Sequence, residues 1–220
     1  MSEVAAFFTA IAAGDVDRVR GLLDQDPALL AEAGPDGESA ALAALYAGQP
    51  RLADELAARS GELSVFEAAA FDDSSRLEEL ITAERAVVDG WSADGWQPLH
   101  LAAYFGRAEA ARALLDADAE VGQASRNALA VQPLHAAAAG RHAELVWILI
   151  ASEADVHARQ PGGWTPLHAA VANADLDSVQ ALLSAGADPQ LANDAGQSPL
   201  QLASDPGIRA LLLGSESAGG

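Results

Sequence analysis

The sequence predicts an all-α repeat solenoid, built from helix-turn-helix units joined by short β-hairpin fingers. Three observations carry this. A phrase recurs: Gly163-Trp164-Thr165-Pro166-Leu167-His168-Ala169-Ala170 is echoed by Gln97-Pro98-Leu99-His100, by Gln132-Pro133-Leu134-His135 and by Ser198-Pro199-Leu200. Its first positions, 97, 132, 165 and 198, are 35, 33 and 33 residues apart, a period that signals stacked repeats. Apolar pairs keep step, with Leu114-Leu115, Leu149-Ile150 and Leu182-Leu183 each beginning 17 residues after a cap. Gly186-Ala187-Asp188 then supplies a turn before the next finger.

The phrase has a mechanical reading. Thr165 is an N-cap whose hydroxyl accepts a backbone N–H of the first turn. Pro166 stands at the first helical position, where a missing N–H costs nothing. On these residues the chain resembles the ankyrin-repeat proteins. That resemblance implies a curved stack of helix pairs, with inner helices and fingers lining a concave side and outer helices a convex one. It also implies that cap histidines bond within and between repeats, and that the surface serves as a platform for protein binding.

The chain divides into one solenoid over 1–213, in seven units of about 3–38, 39–62, 63–96, 97–131, 132–164, 165–197 and 198–213, with a flexible tail at 214–220. In the first, Val4, Phe7, Phe8 and Ile11 fall at helical spacing with no cap phrase before them, as suits a terminal unit. A second helix ends near Gln25, and Pro35-Asp36-Gly37 is turn chemistry in the finger position. The second unit starts at Ser39, but Ala40-Ala41-Leu42 replaces Pro-Leu-His. Only 24 residues separate Ser39 from Leu63, so this unit lacks a finger. In the third, Phe66 is placed at the histidine position, and the finger returns with Gly90-Trp91 and Asp94-Gly95-Trp96. The fourth carries two extra residues in its finger, making Ser125-Arg126-Asn127-Ala128-Leu129 a longer tip. In the last, Asp205-Pro206 restarts a helix that is placed at Ile208 to Leu213. Gly14, Gly48, Asp72, Gly106, Arg141, Ala174 and Gly207 align as the residues that follow the inner helices.

Composition narrows the function. With a formal net charge of −20, the chain lacks the basic footprint that nucleic acid or an anionic membrane would need. The charge keeps an exposed solenoid soluble and monomeric, and it also suits a basic partner. There is no cysteine, which excludes disulfides and thiolate metal sites and fits a cytoplasmic location. All twelve basic residues are Arg, a coding habit of GC-rich genomes that points to a bacterial source. The apolar run from Val4 to Ala13 has no basic region before it, so it does not read as a signal peptide.

Catalytic chemistry finds no players. His100, His135 and His168 are cap residues on three repeats, and His142 and His157 have ordinary repeat positions, so no metal is expected. No phosphate-cradling glycine loop or nucleophile motif is present. The expectation is a non-catalytic adaptor without cofactor that binds an unidentified protein partner on its concave face. An acidic inhibitor that occludes a basic surface is the alternative. The candidate contacts occupy positions the repeat leaves free. These are Trp91, Trp96 and Trp164 near the caps, Tyr104 and Phe105 at an inner-helix end, and Arg126, Asn127 and Gln160 in the fingers. Tyr46 and Phe71 are read as packing around the missing finger, and Trp147 as half-buried on the convex side.

Overall fold

Most inner helices begin at a cap that the sequence marks, the first is capped by the unmarked Ser2, and after each the chain doubles back through an outer helix. A computed structural model describes residues 2–216. The inner helices are α1 (Glu3–Ala13), α3 (Ala40–Tyr46), α5 (Val65–Phe71), α7 (Pro98–Phe105), α9 (Pro133–Gly140), α11 (Pro166–Ala172) and α13 (Pro199–Leu202). The outer helices are α2 (Val16–Gln25), α4 (Pro50–Ser60), α6 (Ser74–Ala83), α8 (Ala108–Asp116), α10 (Ala143–Ala151), α12 (Leu176–Ser184) and α14 (Pro206–Glu216). Each inner helix packs on the next along the chain, and the outer layer runs from α6 through α8, α10 and α12 to α14. The all-α solenoid is therefore what forms. Its fingers are tight turns rather than strands, and the isolated antiparallel bridge between Gln160 and Trp164 is the ladder element recorded among the described residues.

The helices are short, so packing rather than propensity must hold them. Leu99, Leu134 and Leu167 from inner helices and Leu114, Leu149 and Leu182 from outer ones are almost wholly buried. Each is worth about 2 kcal/mol of removed apolar surface. In α6 the pair Leu80-Ile81 is only half-buried, and Leu77, a turn earlier, takes the buried place. The buried residues form two clusters that divide at α5: Ala68 and Ala69 belong to the C-terminal one, Ala70 to the N-terminal one.

The residues aligned after the inner helices share one backbone conformation. Gly14, Gly48, Asp72, Gly106, Arg141 and Ala174 all have positive φ, from 51° to 72°. That left-handed residue turns the chain from one helix toward the next. Gly207 differs, because it lies inside α14. This last helix also runs to Glu216 instead of ending at Leu213. The expected flexible tail is thus helical at its start, and residues 217–220 lie outside the described residues.

One assignment shifts by a residue. The third inner helix is capped by Ser64, so Glu67, and not Phe66, stands at the position that His168 holds in α11. Ser64 and Glu67 close a reciprocal capping box, which fixes the register of α5. Between α4 and α5 the connection is only residues 61–64, and no finger forms there.

Candidate functional site

One surface of the protein is made by the fingers and by the C-terminal ends of the inner helices. Four fingers close with the same bond, donor to acceptor four residues on: Gly34 N–H to Glu38, Ser92 to Trp96, Gln160 to Trp164, and Asn193 to Gln197, at 2.8–2.9 Å. The finger between α8 and α9 closes from Ser125 to Val131, 2.8 Å, across the two extra residues. Its tip is shaped by Asn127, whose Oδ1 accepts from the Leu129 N–H and from the Ser125 hydroxyl.

Neighbouring fingers are tied to each other. The Arg126 N–H donates to the Gly95 carbonyl at 2.9 Å, and the Asp194 N–H to the Gly162 carbonyl at 3.0 Å. A Cβ on Gly95 would stand 2.9 Å from the Arg126 carbonyl carbon and the Asn127 nitrogen, so only glycine lets these two fingers meet. The cap histidines bind the fingers from below. Nε2 of His100, His135 and His168 lies 2.9, 3.2 and 3.0 Å from the closing carbonyls of Val131, Trp164 and Gln197. Burial pushes His100 down to about 4 and lowers His135 and His168 as well, so the rings are neutral donors. In α5 the corresponding Glu67 turns back instead and accepts from the Ser39 hydroxyl, 2.7 Å, and from the Ser64 hydroxyl and N–H.

The inner-helix ends are held by the repeat that follows. Arg107 donates to the Ala70 carbonyl, His142 contacts the Tyr104 carbonyl through Nε2 at 2.9 Å, and Asn173 donates to the Ala139 carbonyl. Tyr104 therefore has its carbonyl held by the next repeat while the residue remains 47% exposed.

The structure sorts the candidate residues into three groups. Tyr104 and Phe105 meet edge to face, with ring centroids 5.1 Å apart. Phe105 also stacks on Tyr46 at 5.8 Å and 25°. Tyr46 is 39% exposed, and its hydroxyl donates to Asp94 at 2.8 Å. Burial, and next the Asp94 carboxylate, hold this phenol well above its ordinary range, so it stays a donor. In the second group, Arg126 lies 4.2 Å over the Trp91 ring and Trp96 leans on His100 at 5.7 Å. Trp96 and Phe105 are half-buried and packed against the N-terminal core cluster. Asn127, besides shaping its own finger, donates to the Asp94 carbonyl. Its side chain is committed to the fold. The third group, Gln160 and Trp164, sits two fingers further along, where Trp164 leans on His168 at 5.5 Å as Trp96 does on His100.

Two exposed residues escaped sequence reasoning. Tyr46, which the sequence reads as packing, does stack on Phe105 but stays exposed and so extends the Phe105–Tyr104 strip. Leu129, at the tip of the long finger, is 57% exposed; the two extra residues were its visible signal. Phe71 is half-buried against the N-terminal cluster. On the outer layer Trp147 keeps 49% exposure. Among the described residues no three His, Cys, Asp or Glu side chains converge in a way that could hold a metal. No described helix is long and apolar enough to cross a membrane.

Comparison with known proteins agrees with this geometry. The family model described as ankyrin repeats in three copies matches residues 65–160 and again 134–216. The two matches together span well over half of the chain, beginning at α5. The search of curated proteins returns no match. The chain belongs to the ankyrin-repeat family, whose repeats are protein–protein interaction modules.

Proposed function

We propose that this protein is a non-catalytic adaptor that holds a partner protein on its concave face. The observation that carries the reading is the strip formed by Tyr46, Phe105 and Tyr104, in which Tyr46 and Tyr104 are exposed while His142 of the next repeat holds the Tyr104 carbonyl and Asp94 holds the Tyr46 hydroxyl. Rigid aromatics at the centre of a face give large contact area at small entropic cost, and interfaces concentrate their energy there. Trp91 beneath Arg126, Trp96 and Asn127 add to this face, as does the exposed Leu129 at the tip of the long finger. Trp164 and Gln160 extend the same face. The protein acts in the cytoplasm as a monomer.

A net charge of −20 favours a second reading, in which the protein occludes a basic partner surface. Salt separates the two. Long-range charge attraction weakens with ionic strength, whereas an aromatic contact persists. The test is affinity capture from lysate at low and high salt, with wild type beside Tyr104→Ala/Leu129→Ala, both exposed positions. A partner kept in salt and lost in the variant supports the adaptor. A partner lost in salt and indifferent to the variant supports occlusion and overturns the aromatic face.

A further inference from the structure

We propose that the strip of Tyr46, Phe105 and Tyr104, closed at one end by Asp94, seats an arginine side chain of an extended partner segment. This deepens the adaptor reading and rests on it. The rings run continuously: Tyr104 against Phe105 at 5.1 Å, Phe105 against Tyr46 at 5.8 Å, and the Tyr46 hydroxyl on Asp94 at 2.8 Å. The rings do not share one plane, since Tyr104 stands at 77° to Phe105 and Phe105 lies at 25° to Tyr46, but the exposed Tyr104 and Tyr46 offer aromatic surface that leads to a carboxylate. Asp94 accepts one bond from Tyr46 and one from the Ser92 hydroxyl. A carboxylate has about four acceptor directions, so two remain.

No described cation neutralises Asp94. The eight ion pairs among the described residues use Glu55 twice and otherwise Glu62, Glu79, Asp89, Glu109, Glu144 and Asp194. Arg126, the cation on the adjoining finger, lies over Trp91 instead. Glu38 adds negative charge from the finger between α2 and α3, and it acts on Tyr46 together with Asp94. It too enters none of those ion pairs.

Charge and shape together select the occupant. An apolar side chain on this strip would strip water from Asp94 without replacing it. A phosphate would meet two carboxylates. Lysine would bring charge but no plane, and its ammonium is strongly hydrated. A guanidinium is planar and weakly hydrated, stacks on aromatic faces, and presents paired N–H groups to a carboxylate. Arginine is the side chain that satisfies both ends of the strip.

The test uses the full chain and an array of extended peptides, each centred on arginine and paired with its citrulline twin, which has the same shape without the charge. Wild type is compared with Asp94→Asn and with Tyr104→Ala, each checked by circular dichroism for an unchanged fold. The expected result is a set of peptides lost in Tyr104→Ala whose binding falls about tenfold on citrulline replacement, with that discrimination abolished in Asp94→Asn. Peptides that need Tyr104 but bind citrulline equally well would overturn the arginine proposal and leave the adaptor face standing. Arginine-dependent binding that ignores Asp94→Asn would overturn it too, by placing the arginine elsewhere. An array without any Tyr104-dependent binder would overturn both.

Discussion

Gln132 and His135 occupy in α9 the places that Thr165 and His168 hold in α11, yet they do not reach each other. In α11 the threonine hydroxyl lies 2.8 Å from His168 Nδ1, and the Thr165 N–H donates to the same nitrogen. In α9 the Gln132 Oε1 and the His135 Nδ1 are both buried without a partner. A buried polar atom left unpaired costs about 1–3 kcal/mol. Gln132→Thr removes one such atom and supplies a hydroxyl to the other. It is expected to stabilise the protein by about 1 kcal/mol, read as a raised urea midpoint at unchanged slope. An unchanged or lowered midpoint would mean the ring is already satisfied.

Ala174 sits at φ 51°, on the outer surface of the turn between α11 and α12. Gly14, Gly48 and Gly106 occupy the same left-handed position without a Cβ penalty. Ala174→Gly is expected to stabilise by about 0.5–1 kcal/mol. Thermal unfolding checks it; a loss of stability would contradict the strain argument.

Glu67 is buried and takes three hydrogen bonds, from Ser39 and twice from Ser64. Hydrogen bonds to a charged group are worth about 1.5–3 kcal/mol. Glu67→Ala should cost roughly 3 kcal/mol and Ser39→Ala about 1–2. A double-mutant cycle should then show coupling of at least about 0.5 kcal/mol. Additive effects would deny the link between α3 and α5.

The histidines set a pH dependence. Burial takes His100 from 6.5 down to about 4, and lowers His135, His168 and His142. As pH falls below 6.5 the unfolded chain takes up these protons before the folded one does, so stability is full above that pH and drains away below it. For His100 alone the loss by pH 5 is roughly 2 kcal/mol. Denaturation midpoints should fall between pH 7 and pH 5, and fall less in His100→Gln. A profile flat in this interval would show that the rings titrate normally.

Binding and packing aromatics should separate by stability. Tyr104→Ala removes an exposed ring and should change stability by less than about 0.5 kcal/mol. Trp96→Ala opens the packing over His100 and against the N-terminal cluster, and should cost about 2–3 kcal/mol. Equal costs would remove the distinction.

Much of this was legible in the sequence because the repeat uses residues with fixed mechanical roles. Pro166 and Thr165 locate a helix start, and the residues after the inner helices mark the turn even where Asp72, Arg141 and Ala174 replace glycine. The missing finger was legible from length alone. The shift from Phe66 to Glu67 was not, because Phe66 imitates an apolar pattern while the capping box that fixes the register needs geometry. Nor could spacing assign the aromatics. Trp96 and Trp164 look like free contacts in sequence, and only the structure brings each against a cap histidine, tilted at 53° and 51°. Tyr46 looked like filler because Asp94, its partner, lies 48 residues away.

The finger missing between α4 and α5 leaves a mark beyond its own repeat. The turn at Gly37 comes against Ala93, so close that a Cβ on Gly37 would lie 2.4 Å from the Ala93 methyl, and the finger bearing Asp94 reaches Tyr46 at the end of α3. Fingers and helices therefore advance in step from α7 onward but slip by one interval before it. Tyr46, Asp94 and Phe105 stand where that slip falls, with the end of α3 bonded to the finger that precedes α7.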